Sequence, residues 1–84
     1  MTRLWPDGVP ITVQTDYLAA PRNFTWQGAI HPVQKIAKRW RVDQGWWQTR
    51  VWREYFKVTT QTGLLVIVYR DLLTGEWYLQ RLYD

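Results

Sequence analysis

A chain of 84 residues has room for one small domain, and its hydrophobic (46%) and charged (21%) fractions are those of a folded segment rather than a disordered one. Seven Trp, five Tyr and two Phe supply apolar area that so short a chain otherwise lacks, while the absence of Cys excludes a disulfide framework and thiol chemistry. The net charge of +4 is concentrated between Lys35 and Lys57, where seven Lys and Arg face two acids, and this suits an anionic partner.

Alternation with a period of two dominates the chain and predicts strands. Residues 1–8 read as a lead-in and 9–84 as a single β domain. After Gly8-Val9-Pro10, the residues Ile11, Val13, Thr15 and Tyr17 alternate with Thr12, Gln14 and Asp16. Ala19 to Asn23 reads as a loop, and Phe24-Thr25-Trp26 leads into a hairpin turn at Gln27-Gly28, where Gly supplies the positive φ that a tight turn requires. Pro32 has no N–H for a ladder, so the strand that follows starts at an edge or a bulge. From Val33 to Trp40 the pattern fits two periods: Val33, Ile36, Ala37 and Trp40 make a helical stripe, whereas Ile36, Trp40 and Val42 share one face of a strand. Strand is favoured, because the flanking segments are strands.

Asp43 to Gln48 reads as a loop containing Gly45-Trp46-Trp47. Val51 to Thr60 is a strand with Trp52, Phe56 and Val58 on one face and Arg53, Tyr55 and Lys57 on the other. Thr60 to Gly63 turns the chain, Leu64 to Arg70 is a continuous apolar strand, and Leu72 to Gly75 turns again. Glu76 to Tyr83 closes the domain, with Trp77, Leu79 and Tyr83 set against Tyr78 and Leu82. The last three strands form a meander. Five or six short antiparallel strands make an all-β domain, a highly twisted sheet or a partly closed barrel. The longest apolar run falls far short of the roughly 20 residues of a membrane span, and Met1 to Gly8 has no apolar signal segment. A cytoplasmic protein without membrane association is expected.

Little in the residues points to catalysis. There is neither Cys nor Ser for a nucleophile, and His31 is the only histidine, standing before Pro32 without a partner at a catalytic spacing. Zinc would need Cys or several His ligands, and the five Gly are dispersed at turns rather than gathered in a phosphate loop. A non-enzymatic protein without cofactor or metal is the expectation. Binding is better supported, because the basic stretch is interleaved with rings: bases need flat platforms and phosphates need cations. Arg39, Arg41, Arg53 and Lys57 are the candidate phosphate contacts, and Tyr55 with one of Trp46 and Trp47 the candidate stacking rings. Trp40 and Trp52 are read as core. The same residue types also anchor protein interfaces, so a protein-interaction module or a homodimerising domain is the alternative.

Phe24-Thr25-Trp26-Gln27-Gly28, Lys38-Arg39-Trp40-Arg41, Gly45-Trp46-Trp47, Arg53 to Val58, Tyr69-Arg70-Asp71 and Thr74 to Leu79 form an ordered series. The series resembles a family of small uncharacterised bacterial domains. These occur alone or as the C-terminal segment of ImuB-like proteins, inactive relatives of Y-family DNA polymerases. The resemblance implies a bacterial cytoplasmic protein linked to error-prone DNA repair, with no catalytic residues to carry over. A DNA-repair protein thus joins single-stranded nucleic acid, the partner the residues suggest, as an expected partner. The chain would act as a monomer or homodimer.

Overall fold

The computed structural model describes residues 2–45 and 50–83. Six strands run β1 (Arg3–Thr15), β2 (Pro21–Trp26), β3 (Ala29–Gly45), β4 (Arg50–Thr60), β5 (Leu65–Asp71) and β6 (Trp77–Tyr83). Each pairs antiparallel with the next, and β1 returns to β6, so the sheet closes in a ring. The Val33–Trp40 stretch is strand. β4, β5 and β6 form the expected meander, in register from Arg53↔Asp71 and Leu65↔Tyr83. At the β2–β3 turn Gln27 and Gly28 both take positive φ (50° and 77°), the twist that a two-residue hairpin needs.

Closure is achieved by sharing two long strands. The first part of β1 pairs with β6 (Arg3↔Leu82 to Ile11↔Trp77) and its last part with β2 (Thr12↔Thr25 onward). β3 does the same, pairing with β2 over Ala29–Pro32 and with β4 from Val33 to Gly45. The β3–β4 hairpin runs on past the end of β5, whose ladder stops at Arg53↔Asp71. The radius of gyration is accordingly 12.7 Å, against about 12 Å for a compact domain of this length.

Phe24, Phe56, Val58, Val66, Val68 and Leu79 are fully buried inside the ring, with Trp77 beside them and Trp5, Ile11, Val13 and Trp26 packed on the margin. Trp5 and Trp26 meet edge to face, their centroids 5.4 Å apart. Residues 3–8, read from the sequence as a lead-in, are thus the first part of β1. Pro6, Gly8 and Pro10 resemble turn residues, but the irregularity they create is a bulge between Leu4 and Val9. Tyr17, read as strand, lies in the turn after β1, where the Asp16 carboxylate accepts from the N–H of Leu18 and of Ala20.

Two further bulges decide which way side chains face. Register shifts between Val33 and Lys35 and between Ile36 and Lys38 each change the parity of β3. Ile36 therefore packs on the inner core, while Trp40 and Val42, expected on its face, pack on the outer side of the sheet. In β6 the ladder passes from Val68↔Leu79 to Ile67↔Arg81, and the extra residue, Gln80, turns Leu82 inward and Tyr83 outward, the reverse of the sequence reading. Trp52 shares the inner face with Phe56 and Val58 as expected, but it is only half-buried, beyond the end of the β5 ladder.

Phe56→Ala removes a fully buried ring and is expected to cost about 3–5 kcal/mol, read as a lower urea midpoint. A loss under about 1 kcal/mol would contradict the packing described. Gly8 has φ +77°, and a Cβ there would lie 2.6 Å from the Tyr78 Cβ and 2.8 Å from the Tyr69 hydroxyl. Gly8→Ala combines left-handed strain, about 1–2 kcal/mol for an L-residue, with that collision, so thermal melting should show a larger loss than this. An unchanged melting temperature would place β1 elsewhere.

Candidate functional site

The β3–β4 hairpin carries five of the seven candidate residues, and strand alternation divides them between its two faces. Cross-strand register sets Arg39 opposite Phe56 and Arg41 opposite Glu54 on the inner side, and Lys38 opposite Lys57 and Trp40 opposite Tyr55 on the outer side. Arg39 and Arg41 thus point away from Arg53, Tyr55 and Lys57. Trp46 and Trp47 lie outside the described residues.

On the inner side the two arginines have a local partner. Arg39 donates from Nε (3.1 Å) and Nη2 (3.0 Å), and Arg41 from Nε (2.9 Å), all to Oε2 of Glu54. Glu54 is 6% exposed. Burial would raise the pKa of such a carboxyl, but hydrogen bonds from Arg41 and Arg39 outweigh it and hold the group below its ordinary value. Arg39 also lies over the Phe56 ring, 5.1 Å from its centroid. The first role of both arginines is to satisfy a buried carboxylate. At the end of the hairpin Arg50 covers Trp52 at 4.7 Å and pairs with Asp43.

The outer side is built differently. Trp40, Tyr55, Tyr69 and Tyr78 are consecutive cross-strand partners on β3, β4, β5 and β6. Their centroids are 5.3, 5.2 and 5.1 Å apart, within the range where aromatic pairs attract beyond simple burial. Trp40 and Tyr55 are parallel to within 4°. Tyr69 is the anchor of the row: it is 1% exposed, and its hydroxyl donates to the Asp7 carbonyl at 2.7 Å. Burial raises the Tyr69 pKa, against an opposing pull from Arg53, whose guanidinium stands 4.5 Å from the ring centroid. Arg53 also donates to the Tyr55 hydroxyl at 3.3 Å. Tyr55 sits on the face where the sequence placed it, but at 7% exposure it is no open platform. The accessible rings are Trp40 at one end of the row and Tyr78 and Tyr83 at the other, all partly exposed. Tyr78 donates to Glu76.

A row of cations runs beside the rings. Lys38, Lys57 and Arg81 occupy one cross-strand line with Ile67 between the last two, and Lys35, opposite Thr59, adds a fourth charge. Lys38 Nζ lies 5.5 Å from the Trp40 centroid, and Lys57 and Arg81 lie 5.3 and 5.5 Å from that of Tyr83. Among the described residues the ion pairs are those of Glu54 and Asp43, and none involves these four cations. Lys35 and Lys38 are exposed, Lys57 and Arg81 partly so, and Arg81 donates to the Tyr83 hydroxyl. Sequence reasoning named Lys57 but not Lys38, Trp40, Tyr78, Arg81 or Tyr83 as site residues. The bulges hide the first two, and nothing in the sequence ties β6 to β3. His31 packs against Phe24 at 5.4 Å with Nδ1 2.8 Å from the Thr62 hydroxyl. Among the described residues no three His, Asp or Glu side chains gather as for a metal ion, and no helix is long and apolar enough to cross a membrane.

The Glu54 cluster makes a pH prediction with a definite sign. A carboxyl whose folded pKa lies below its unfolded value, about 4.3, adds stability that is present above that pH and lost as pH falls through the folded value. Glu54→Gln should therefore cost about 1.5–3 kcal/mol at pH 7, the worth of hydrogen bonds to a charged group. Urea midpoints of the two proteins should converge on acidification below about pH 4. A gap that persists unchanged at low pH would show that Glu54 acts through packing alone.

No curated protein and no solved structure matches the chain. A family model does match, over residues 7–84, and by that match the chain belongs to the family described as Domain of unknown function (DUF6504).

Proposed function

We propose that this domain is a non-enzymatic binding module whose outer β3–β6 face takes single-stranded nucleic acid. One observation carries the reading: the cation row Lys35, Lys38, Lys57 and Arg81 lies beside the ring row that begins at Trp40 and ends at Tyr78, on one sheet face. Neighbouring strands are about 4.8 Å apart, so side chains in one cross-strand line follow one another at a spacing that an extended backbone can track. Cations hold phosphates without regard to sequence, and partly exposed rings offer stacking surfaces to any base. Trp40, Tyr78 and Tyr83 take the stacking role. Arg53 and Tyr55 are positioning residues: Arg53 covers the Tyr69 ring and Tyr55 stacks beside Trp40. Arg39 and Arg41, on the opposite side of the sheet and bonded to Glu54, contribute to the field on this face more than to contacts. The resemblance to the C-terminal segment of ImuB-like proteins supplies a setting, a bacterial cytoplasmic complex for error-prone DNA repair.

Fluorescence anisotropy with a short, labelled, mixed-sequence single-stranded DNA tests this directly. Binding that falls with salt is expected, and Lys38→Gln and Lys57→Gln should each reduce the log–log salt slope by about 0.7. Trp40→Ala should cost about 1–3 kcal/mol of affinity. Absence of binding at low salt, or binding indifferent to Lys57→Gln, would overturn the assignment.

A further inference from the structure

The long hairpin leaves one strand edge uncovered. β2 pairs only with Ala29–Pro32 of β3, and among the described residues nothing pairs with that side of β3 from Val33 onward. The two bulges disturb the edge as far as Lys38. From Lys38↔Lys57 to Gly45↔Arg50 the register is unbroken, which gives eight residues of regular strand with one row of N–H and C=O groups facing solvent. Bulges and charges are the usual means of disarming such an edge. Here the bulged part is protected by its geometry and the regular part by its charges, Lys38, Arg39 and Arg41 with one acid, Asp43, which is paired with Arg50.

We infer that the Lys38–Gly45 edge of β3 accepts an extended acidic segment of another protein as an added antiparallel strand. Charge argues for this occupant. A second copy of β3 pairing antiparallel about Trp40 would set Arg39 directly against Arg41 on both sides of the seam, a like-charge opposition that destabilises a cross-strand pair. An acidic strand reverses the sign of the same contacts. Arg39 and Arg41 are 45% and 60% exposed along their side chains, and Glu54 engages only Nε and Nη2 of the first and Nε of the second. Among the described residues nothing else bonds their remaining N–H groups, which suit a second carboxylate.

The edge also specifies a pattern. Alternation sends Arg39 and Arg41 to one face and Lys38, Trp40 and Val42 to the other. Trp40 is the last ring of its row, with Tyr55 parallel to it on the β4 side and the free edge on the other. An added strand that places a ring opposite Trp40 extends the row by one member. Read along that strand, the residues facing Val42, Arg41, Trp40, Arg39 and Lys38 are apolar, acidic, aromatic, acidic and acidic. Backbone bonds give such strand additions their affinity, and alternate side chains give them their specificity. The inference does not rest on the nucleic-acid reading, since it uses the edge of β3 rather than the face of the sheet and shares only Lys38 and Trp40 with it.

The probe is an acetylated, amidated peptide Gly-Val-Glu-Tyr-Glu-Glu-Gly, titrated into the isotopically labelled full chain and followed by amide NMR with hydrogen exchange. Shifts and new amide protection confined to Lys38–Gly45 are expected. Replacing the three Glu of the peptide by Gln or by Lys should weaken binding by about tenfold or more, and so should Lys38→Glu in the protein. Lys57→Gln, which weakens DNA, should leave the peptide affinity unchanged, so each reading can fail without the other. Equal affinity for the Gln or Lys peptide would overturn the inference, as would no shift at millimolar peptide or shifts centred on Lys57 and Arg81. Concentration-dependent protection of the same amides without peptide would assign the edge to a second copy and overturn it as well.

Discussion

A strand can send each side chain to only one of two faces, and in this domain the choice is reset wherever an extra residue enters the ladder. The bulges of β3 and the shift in β6 are therefore the constraint on which the rest depends. Without the reset after Ile36, Trp40 would follow it into the interior, where Phe56 and Val58 already fill the space. With it, the hydrophobic side of β3 changes over part-way along: the early half seals the ring, and the later half builds the outer row of rings. The sheet thus packs apolar groups on both sides without becoming apolar on both, because long cationic side chains line the outer rings.

That arrangement suits a chain short of core. Tyr55 and Tyr69 are nearly as buried as the interior residues although they lie on the outer face. Arg53 and the β1 bulge at Asp7 and Gly8 provide the cover. The Arg53 guanidinium, stacked on the Tyr69 ring, loses less hydration than a compact ammonium would in the same place, and the ring gains cover from it. The inner side of the hairpin uses the opposite device, a buried carboxylate that draws in two arginines, Arg39 lying over Phe56. Both devices keep guanidinium groups partly exposed and directed to solvent, so stability and basic character come from the same atoms.

Period two made the strands legible, and turn residues made most boundaries legible: the Gln27-Gly28 hairpin, the meander and the split of Phe56 and Val58 from Tyr55 and Lys57 all follow from local pattern. The site was legible only in part. Lys57 and Arg53 could be placed on one face by counting along β4, but Arg39 and Arg41 looked like their companions because charge clusters in sequence do not show which side of a strand they occupy. Trp40 was read as core for the opposite reason, since a bulge is a single additional residue with no signature of its own. Tyr78 and Arg81 join the site through the pairing of β4 to β5 and of β5 to β6, a relation that no spacing within one strand encodes. Pro6, Gly8 and Pro10 misled in the same way, looking like punctuation before the fold when they shape a bulge within it.

The ring is sealed by its first and last strands, with Arg3 opposite Leu82 and Ile11 opposite Trp77. The contacts that finish the domain are thus among the most distant the chain can make, and loop-closure entropy makes such pairings late and slow. During synthesis the first part of β1, from Arg3 to Ile11, must wait for its ladder partner until β6 has left the ribosome. Before then its last part is held by β2, and its first part gains from β5 the bond from the Tyr69 hydroxyl to the Asp7 carbonyl. A tyrosine on β5 is thereby placed to hold the opening strand against the growing sheet until its permanent neighbour arrives.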